Sequence, residues 1–198
     1  DVVADGESAE GGSTVNGSVR IGSGCTVSGN SRTVNGRVTV GQGSSVGGLA
    51  TVNGSIAIAD EVSADGDVRT VNGSLVLGSG ISVKGGLETV NGSVECGPGT
   101  VAEGVSTVNG AISLEGTRVG GALTTTNGSV SLTSGARIAG DVIIKGKDRP
   151  GAKKKAVEIV VADGSVVEGG IVVRDYDRRV KVILVSGGTV RGEITNAE

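Results

Sequence analysis

The sequence predicts an all-β fold, a single-stranded parallel β-helix whose coils stack into a triangular rod, and three observations lead to this prediction. The tetrapeptide Thr-Val-Asn-Gly recurs at steps of 18 or 19 residues, and aliphatic residues recur about every six positions inside each repeat. Glycine accounts for 38 of the 198 residues, whereas Phe, Trp and Met are absent. An interior of Val, Ile, Leu and Ala suits a narrow solenoid better than a globular core, which normally uses aromatic side chains.

The repeat begins at Thr14 and has seven copies. Six copies read Thr-Val-Asn-Gly, at residues 14–17, 33–36, 51–54, 70–73, 89–92 and 107–110, and the seventh, at residues 125–128, reads Thr-Thr-Asn-Gly. Three hexads per repeat predict three short strands and three corners in each coil. We expect the aliphatic residues, including Val15, Val34, Val52 and Val71, to point inward and to stack in columns. Glycine and asparagine mark the corners, where positive φ angles are expected.

Two other interpretations of the pattern are weaker. Disorder is typical of many Gly-rich chains, but the mean hydropathy is slightly positive and the Val and Ile residues are regularly spaced. An antiparallel array of Asn-Gly hairpins predicts long alternating strands rather than hexads with three corners. Glycine mostly follows the aliphatic residue by two places, and coils of 18 and 19 residues alternate. This spacing favours a right-handed helix over a strict left-handed hexapeptide helix.

The whole chain, residues 1–198, is predicted to form one β-helix domain of about nine coils. We expect residues 1–13 to form an irregular first coil or cap, residues 14–144 the regular coils, and residues 157–198 the C-terminal coils. Residues 145–156 are predicted to be a basic loop insertion, and a second polar excursion lies around residues 175–179. The cations of the insertion, predicted to be solvated rather than bound to phosphate or lipid, are Lys145, Lys147, Arg149, Lys153, Lys154 and Lys155.

The residue types argue against catalytic and metal-binding chemistry. The chain has no histidine, which excludes Ser-His-Asp triads, Cys-His pairs and His-metal sites. Cys25 and Cys96 lie four repeats apart, too far for a disulfide, and are expected to be structural. The carboxylates of Asp60, Glu61, Asp65 and Asp67 lack the spacing of a calcium loop and are predicted to form a solvated acidic corner. We therefore expect no enzymatic activity, no cofactor, no metal and no nucleic-acid partner.

Two polar columns are the candidate features of the surface. The asparagines are expected to stack at one corner as a hydrogen-bonded structural ladder, comprising Asn16, Asn35, Asn53, Asn72, Asn91, Asn109 and Asn127. The threonines are expected to face outward beside it, as a solvated face or as an interaction face, comprising Thr14, Thr33, Thr51, Thr70, Thr89, Thr107 and Thr125. An outward threonine row also makes ice binding a minor alternative, although ice-binding β-helices usually carry paired threonine columns.

Two sets of motifs resemble known families. The corners at residues 138–142 (Ile-Ala-Gly-Asp-Val) and 190–194 (Val-Arg-Gly-Glu-Ile) resemble bactofilins, polymer-forming bacterial β-helix proteins. The recurring Thr-Val-Asn-Gly-Ser words, each followed by Val, Leu or Ile, resemble secreted bacterial β-helix proteins classed as adhesins. The resemblance covers most of the chain and implies a non-enzymatic structural or adhesin-like scaffold of the bacterial cell envelope. Its implied partners are further copies of the chain, a surface glycan or another protein.

Compartment and ligand stay open at this point. The resemblance implies export to the periplasm or cell surface, with a cytoplasmic scaffold as the alternative. The chain begins at Asp1 rather than Met, so a removed export signal and a shortened chain are both open. No apolar run is long enough to predict a transmembrane segment. A polysaccharide-binding or carbohydrate-active β-helix is the alternative function, and it requires a groove lined by charged groups.

Overall fold

The computed structural model shows a β-solenoid built from three parallel sheets. It describes residues 2–146, 156–174 and 179–197. Among these residues each sheet contains ten strands, one from each coil, and neighbouring strands in a sheet belong to successive coils. The described residues contain no helix. The predicted all-β solenoid is therefore confirmed, with ten coils in the described part of the chain where about nine were expected.

The three sheets take their strands in rotation along the chain. Sheet 1 comprises β1 (Val2–Val3), β4 (Val19–Ile21), β7 (Val38–Val40), β10 (Ile56–Ile58), β13 (Leu75–Leu77), β16 (Val94–Cys96), β19 (Ile112–Glu115), β22 (Val130–Thr133), β25 (Val157–Val161) and β28 (Val180–Leu184). Sheet 2 comprises β2 (Ser8–Ala9), β5 (Thr26–Val27), β8 (Ser45–Val46), β11 (Ser63–Ala64), β14 (Ser82–Val83), β17 (Val101–Ala102), β20 (Arg118–Val119), β23 (Arg137–Ile138), β26 (Val166–Val167) and β29 (Thr189–Val190). Sheet 3 comprises β3 (Gly12–Asn16), β6 (Ser31–Asn35), β9 (Leu49–Thr51), β12 (Val68–Thr70), β15 (Gly86–Glu88), β18 (Gly104–Ser106), β21 (Leu123–Thr125), β24 (Val142–Ile144), β27 (Ile171–Val173) and β30 (Ile194–Thr195).

The first coil lies at the N-terminal end of the described chain. Residues 2–16 supply β1, β2 and β3, which pair in register with the second coil. They form the first coil expected for residues 1–13, and it pairs regularly because parallel pairing needs only backbone N–H and C=O groups and extends to a coil whose side chains do not repeat the motif. Residues 147–155, which hold most of the basic insertion, and residues 175–178 lie outside the described residues.

The interior is filled by the inward residues of all three sheets. In β13, Leu75 and Leu77 are buried while Val76 between them is exposed, as strand alternation requires. The coils are in register, so Leu75 pairs with Ile56 on one side and Val94 on the other, and the buried side chains stack in continuous columns. Burial of each such side chain stabilises the fold by about 1.5–3 kcal/mol.

Glycine occupies the corners for two different reasons. At the Gly-x-Gly corner the second glycine has a positive φ, for example 67° at Gly80, as predicted. At the Asn-Gly corner the reason is space, because a Cβ added to Gly73 would overlap the carbonyl oxygen of Gly54 one coil away. The expectation that these corners also need a positive φ is wrong. Close stacking of the coils excludes a side chain there.

The valine of the Thr-Val-Asn-Gly repeat lies outside the rod, which corrects the prediction that it lines the interior. Val15, Val34, Val52 and Val71 are 62%, 39%, 40% and 39% exposed. They do stack, because the amide of each following asparagine donates to the valine carbonyl one coil earlier, as Asn53 does to Val34. The prediction assigned the inward position at this corner to the valine instead of the threonine before it. In a strand, a shift of one residue moves every side chain to the opposite face.

Candidate interaction face

The threonine column lies inside the rod, contrary to the prediction that it faces outward. Thr14 in the first coil is half-buried, and the other six threonines are buried. Their hydroxyl groups donate to the glycine carbonyl of the preceding coil, as Thr70 does to Gly54 at 2.7 Å and Thr107 does to Gly92 at 3.0 Å. The same contact is made by Thr33, Thr51 and Thr89, whereas Thr125 accepts from the amide of Gly128.

This burial removes the observation on which the ice-binding alternative rested. An ice-binding row must present its hydroxyl groups and methyl groups to solvent in a regular array. Here the Thr51 hydroxyl is only 2.9 Å from the Gly36 carbonyl oxygen, and the side chain is 4% exposed. The threonines therefore act as core residues with a local hydrogen-bond partner.

The predicted asparagine ladder is present at the neighbouring corner. Each exposed side chain donates its amide to the side-chain oxygen of the asparagine one coil earlier, with Nδ2–Oδ1 distances of 2.6–2.9 Å. The ladder runs through Asn16, Asn35, Asn53, Asn72, Asn91, Asn109 and Asn127. Its amides are largely engaged with one another, so the ladder stabilises the corner.

The outward valines form a second column, which the sequence reasoning missed. We call this column the valine ridge, and its members are Val15, Val34, Val52, Val71, Val90 and Val108, of which the last is half-buried and the others are exposed. The signal that could have found it is the alternation within β9. Leu49 begins that strand inside, which places Ala50 outside, Thr51 inside and Val52 outside.

A second outward column runs parallel to the valine ridge along sheet 3. We call it the outer column, and in coil order its members are Ser13, Arg32, Ala50, Arg69, Glu88 and Ser106. A groove of about 410 Å³ lies between the two columns in the first three coils, with Thr14, Thr33 and Thr51 as its floor. The hydroxyls of Thr33 and Thr51 are engaged inside the rod, so the floor at these two residues is apolar towards solvent.

Charge is unevenly distributed along the outer column. The Arg69 guanidinium contacts Asp67 at 2.7 Å and Glu88 at 3.1 Å. The Arg32 guanidinium has no hydrogen-bond or ion-pair partner among the residues that the structure describes. Ala50 separates the two arginines, and the gap above its methyl group is a polar notch of about 300 Å³, lined by Asn30, Arg32, Asp67 and Arg69 among others.

The predicted acidic corner does not bring its carboxylates together as one site. Asp60 accepts from the Ser79 amide at 2.7 Å, and Asp67 accepts from the Gly86 amide at 2.9 Å. Asp65 pairs with Lys84 at 2.8 Å. Within residues 2–146, 156–174 and 179–197, no group of three or more His, Cys, Asp or Glu could hold a metal ion. These carboxylates satisfy backbone amides and cations in the next coil.

The two cysteines are buried and free, and both occupy interior columns. The Cys25 thiol donates to the carbonyl oxygen of Ala4 at 3.0 Å. Burial raises the pKa of the Cys96 thiol from 9.0 to about 12. A thiol that stays protonated at neutral pH is a poor nucleophile and a poor metal ligand. The geometry agrees with the structural role predicted for both.

Fold and surface together define a β-solenoid in which buried threonines, the asparagine ladder and several carboxylates bond from one coil to the next. Comparison with protein-family models, with curated proteins and with solved structures gives no match. Among the described residues, no helix is long and apolar enough to cross a membrane.

Proposed function

We propose that the chain is a non-enzymatic structural rod of the bacterial cell envelope that associates with further copies of itself. The observation that carries this proposal is the valine ridge. Five exposed valines in five consecutive coils form a continuous apolar strip, about 20 Å long at the spacing of neighbouring strands. A contiguous apolar strip bordered by polar side chains is typical of a surface that contacts another protein.

The use of polar groups along the rod supports a structural role. The threonine hydroxyls, the asparagine amides and carboxylates such as that of Asp60 bond to the neighbouring coil. Groups engaged in this way stiffen the rod. Ten coils give a length of about 48 Å, with the same lateral face repeated along much of it.

The setting in the cell envelope is supported by the motif resemblance. The corners at residues 138–142 and 190–194 are similar to bactofilin corners, and the Thr-Val-Asn-Gly words are similar to those of secreted adhesin-class β-helix proteins. Both groups work as extended scaffolds or surface proteins. Fractionation of a bacterium that expresses the full-length gene tests this part of the proposal. Recovery of the protein only in the cytosol would contradict the envelope setting.

Self-association is tested with the purified chain over a wide range of concentrations. We expect the sedimentation coefficient and the scattering mass to rise with concentration, and electron microscopy to show paired or bundled rods. The interface is exposed and partly apolar, so association should persist at high salt. A chain that stays monomeric up to the millimolar range would overturn the self-associating scaffold.

Polysaccharide binding is a second candidate, and the polar notch above Ala50 is the observation in its favour. Arg32 and Arg69 flank the notch and lie about 10 Å apart along the rod, two coil spacings. Guanidinium groups in this arrangement suit the carboxylates of an acidic polysaccharide. A glycan array that includes uronic-acid polymers tests the idea, with Arg32→Ala as the disabled variant and Arg20→Ala, on sheet 1, as the control. An array without hits would exclude this candidate.

A further inference from the structure

We infer that the valine ridge and the outer column form a two-fold symmetric interface with a second, antiparallel copy of the chain. This inference rests on the proposed function, since it names the partner and the contact register of the self-association. Most soluble homodimers use a single two-fold axis, so the same patch of surface must be complementary to itself.

An antiparallel pair of rods imposes a simple condition on each column. A two-fold axis that lies in the shared face, perpendicular to the rods, places each column opposite the same column of the second copy and reverses the order of the coils. The outer column reads Ser13, Arg32, Ala50, Arg69, Glu88, Ser106. It must therefore be complementary to its own reverse.

The condition is met when the axis passes between the third and fourth coils. Arg32 then lies opposite Glu88 of the second copy, and Glu88 lies opposite its Arg32. Arg69 lies opposite Ala50 of the second copy, so its long side chain enters the notch that the small alanine leaves open. The two serines at the ends of the column, Ser13 and Ser106, also face each other. Charge and size both match across this axis.

The valine ridge selects the same register. With the axis between coils three and four, all six valines face valines, because Val52 meets Val71, Val34 meets Val90 and Val15 meets Val108. An axis through the third coil would place Arg32 against Arg69, and an axis through the fourth would place Arg69 against itself. An axis between coils four and five leaves Val15 and Val34 opposite Lys145 and Thr126 of the second copy.

The ion pairs within a single chain are compatible with the Arg32–Glu88 contact between the two copies. The Arg32 guanidinium has no partner among the described residues, so a carboxylate from a second copy would satisfy it without breaking an existing pair. Glu88 contacts Arg69 at 3.1 Å, and Arg69 is also held by Asp67 at 2.7 Å. One carboxylate can accept from two guanidinium groups, so Glu88 can keep its internal contact.

The size of the face sets the expected affinity. Six coils extend about 24 Å along the rod, and four residues across the face extend about 13 Å, which gives about 300 Å² per copy. Stable complexes usually bury about 800 Å² per partner. We therefore expect a dissociation constant in the high micromolar to millimolar range, measurable by sedimentation at raised concentration.

Charge-reversal substitutions at Arg32 and Glu88 test the antiparallel register directly. We expect Arg32→Glu to weaken self-association at least about tenfold, because Glu then faces Glu88 at both symmetric positions, and Glu88→Arg to do the same through two Arg–Arg contacts. An equimolar mixture of the two variants should associate again, because each contact in the mixed pair joins one Glu to one Arg. Arg20→Glu, an exposed change on sheet 1, is the control and should leave association unchanged.

Each outcome of this experiment supports or overturns the inference. Thermal unfolding confirms that every variant is folded, and Ala50→Arg, which fills the notch opposite Arg69, provides an independent disabling change that leaves the ion pairs in place. If the wild-type chain associates but the mixture does not recover, the antiparallel register is wrong and the self-associating scaffold still stands. If the wild-type chain remains monomeric at every concentration, both proposals fail.

Discussion

At the scale of single residues, the threonine hydroxyl decides which side of the coil the valine occupies. Threonine and valine have nearly the same shape, so either could fill the inner position of the repeat. Inside the rod the Thr70 hydroxyl meets the Gly54 carbonyl oxygen at 2.7 Å, whereas Val71 lies outside with 39% of its surface exposed. Buried polar groups persist where they have a partner, and the glycine carbonyl of the preceding coil supplies one.

Substitutions at these two neighbouring positions should have different effects on stability. Thr70→Val leaves the Gly54 carbonyl without this donor, so we expect the free energy of unfolding to fall by about 1 kcal/mol. Val71→Thr changes only an exposed side chain and should stay within about 0.5 kcal/mol of the wild type. Urea denaturation followed by circular dichroism measures both. A larger loss for Val71→Thr would mean that the valine, and not the threonine, is the core residue.

The buried thiol of Cys96 makes stability depend on alkaline pH. Burial raises its pKa from 9.0 to about 12, so the unfolded chain releases the thiol proton before the folded chain does. The contribution of this group to stability is complete below pH 9 and is lost as the pH rises towards 12, by about 1.4 kcal/mol per pH unit.

A comparison of the wild type with Cys96→Ala isolates this effect. The alanine variant should be less stable at pH 7, because a buried side chain is shortened. The difference in unfolding free energy between the two proteins should narrow between pH 9 and pH 10, by about 1.4 kcal/mol at most. A difference that stays constant over this interval would show that the thiol ionises equally easily in the folded and unfolded chains.

At the scale of the coil, the corners are where strand ends, glycines and ladders meet. The Gly-x-Gly corner needs a left-handed backbone, and the Asn-Gly corner needs the absence of a Cβ. Because the Asn-Gly corner recurs in every regular coil and the Gly-x-Gly corner in several, the coils can approach each other closely over most of the rod. The same close approach brings the asparagine amides within hydrogen-bond distance, for example 2.9 Å between Asn72 and Asn53.

The two kinds of glycine should respond differently to alanine. In Gly73→Ala the new Cβ would overlap the Gly54 carbonyl oxygen, so the coils must separate, and we expect a loss of at least about 3 kcal/mol in the free energy of unfolding. Gly80→Ala places a side chain at a φ of 67° with space around it, and should cost about 1–2 kcal/mol. Equal losses for the two variants would contradict the distinction between crowding and backbone conformation.

At the scale of the whole molecule, in-register pairing of the strands repeats the side-chain arrangement of one coil in the coils that follow. Ile56, Leu75 and Val94 are successive partners in sheet 1, and the outward residues follow in the same register. A single exposed valine does not indicate an interface, because isolated apolar residues are common on protein surfaces. Six valines in six successive coils form a strip, and a strip can hold a second rod.

A double substitution in the valine ridge separates association from folding. Val52→Ser with Val71→Ser should weaken self-association at least about tenfold, since the two residues lie at the centre of the proposed interface. The free energy of unfolding should change by no more than about 1 kcal/mol, because both side chains are exposed. Val76→Ser, at an exposed valine of sheet 1, is the matched control. Equal weakening by the control would locate the contact elsewhere.

Much of the fold could be predicted because the repeat determines which residues stack on each other in successive coils. Steps of 18 and 19 residues place each coil over the previous one, and the inward positions of sheet 1, such as Leu75 and Leu77, follow from alternation. The asparagine ladder follows from the same stacking. The regular pairing of the first coil could not be predicted in this way, because it depends on backbone groups, which every residue carries.

By itself, the sequence determined the class of fold, the stacking of equivalent residues and the asparagine ladder, because these depend only on the period of the repeat. Alternation within each strand indicates which member of a Thr-Val pair faces the interior, but tertiary structure alone gave the buried threonine hydroxyl its partner. The physical reason is that this partner is an acceptor in the neighbouring coil. The Gly54 carbonyl oxygen lies next to Thr70 only after the coils have stacked.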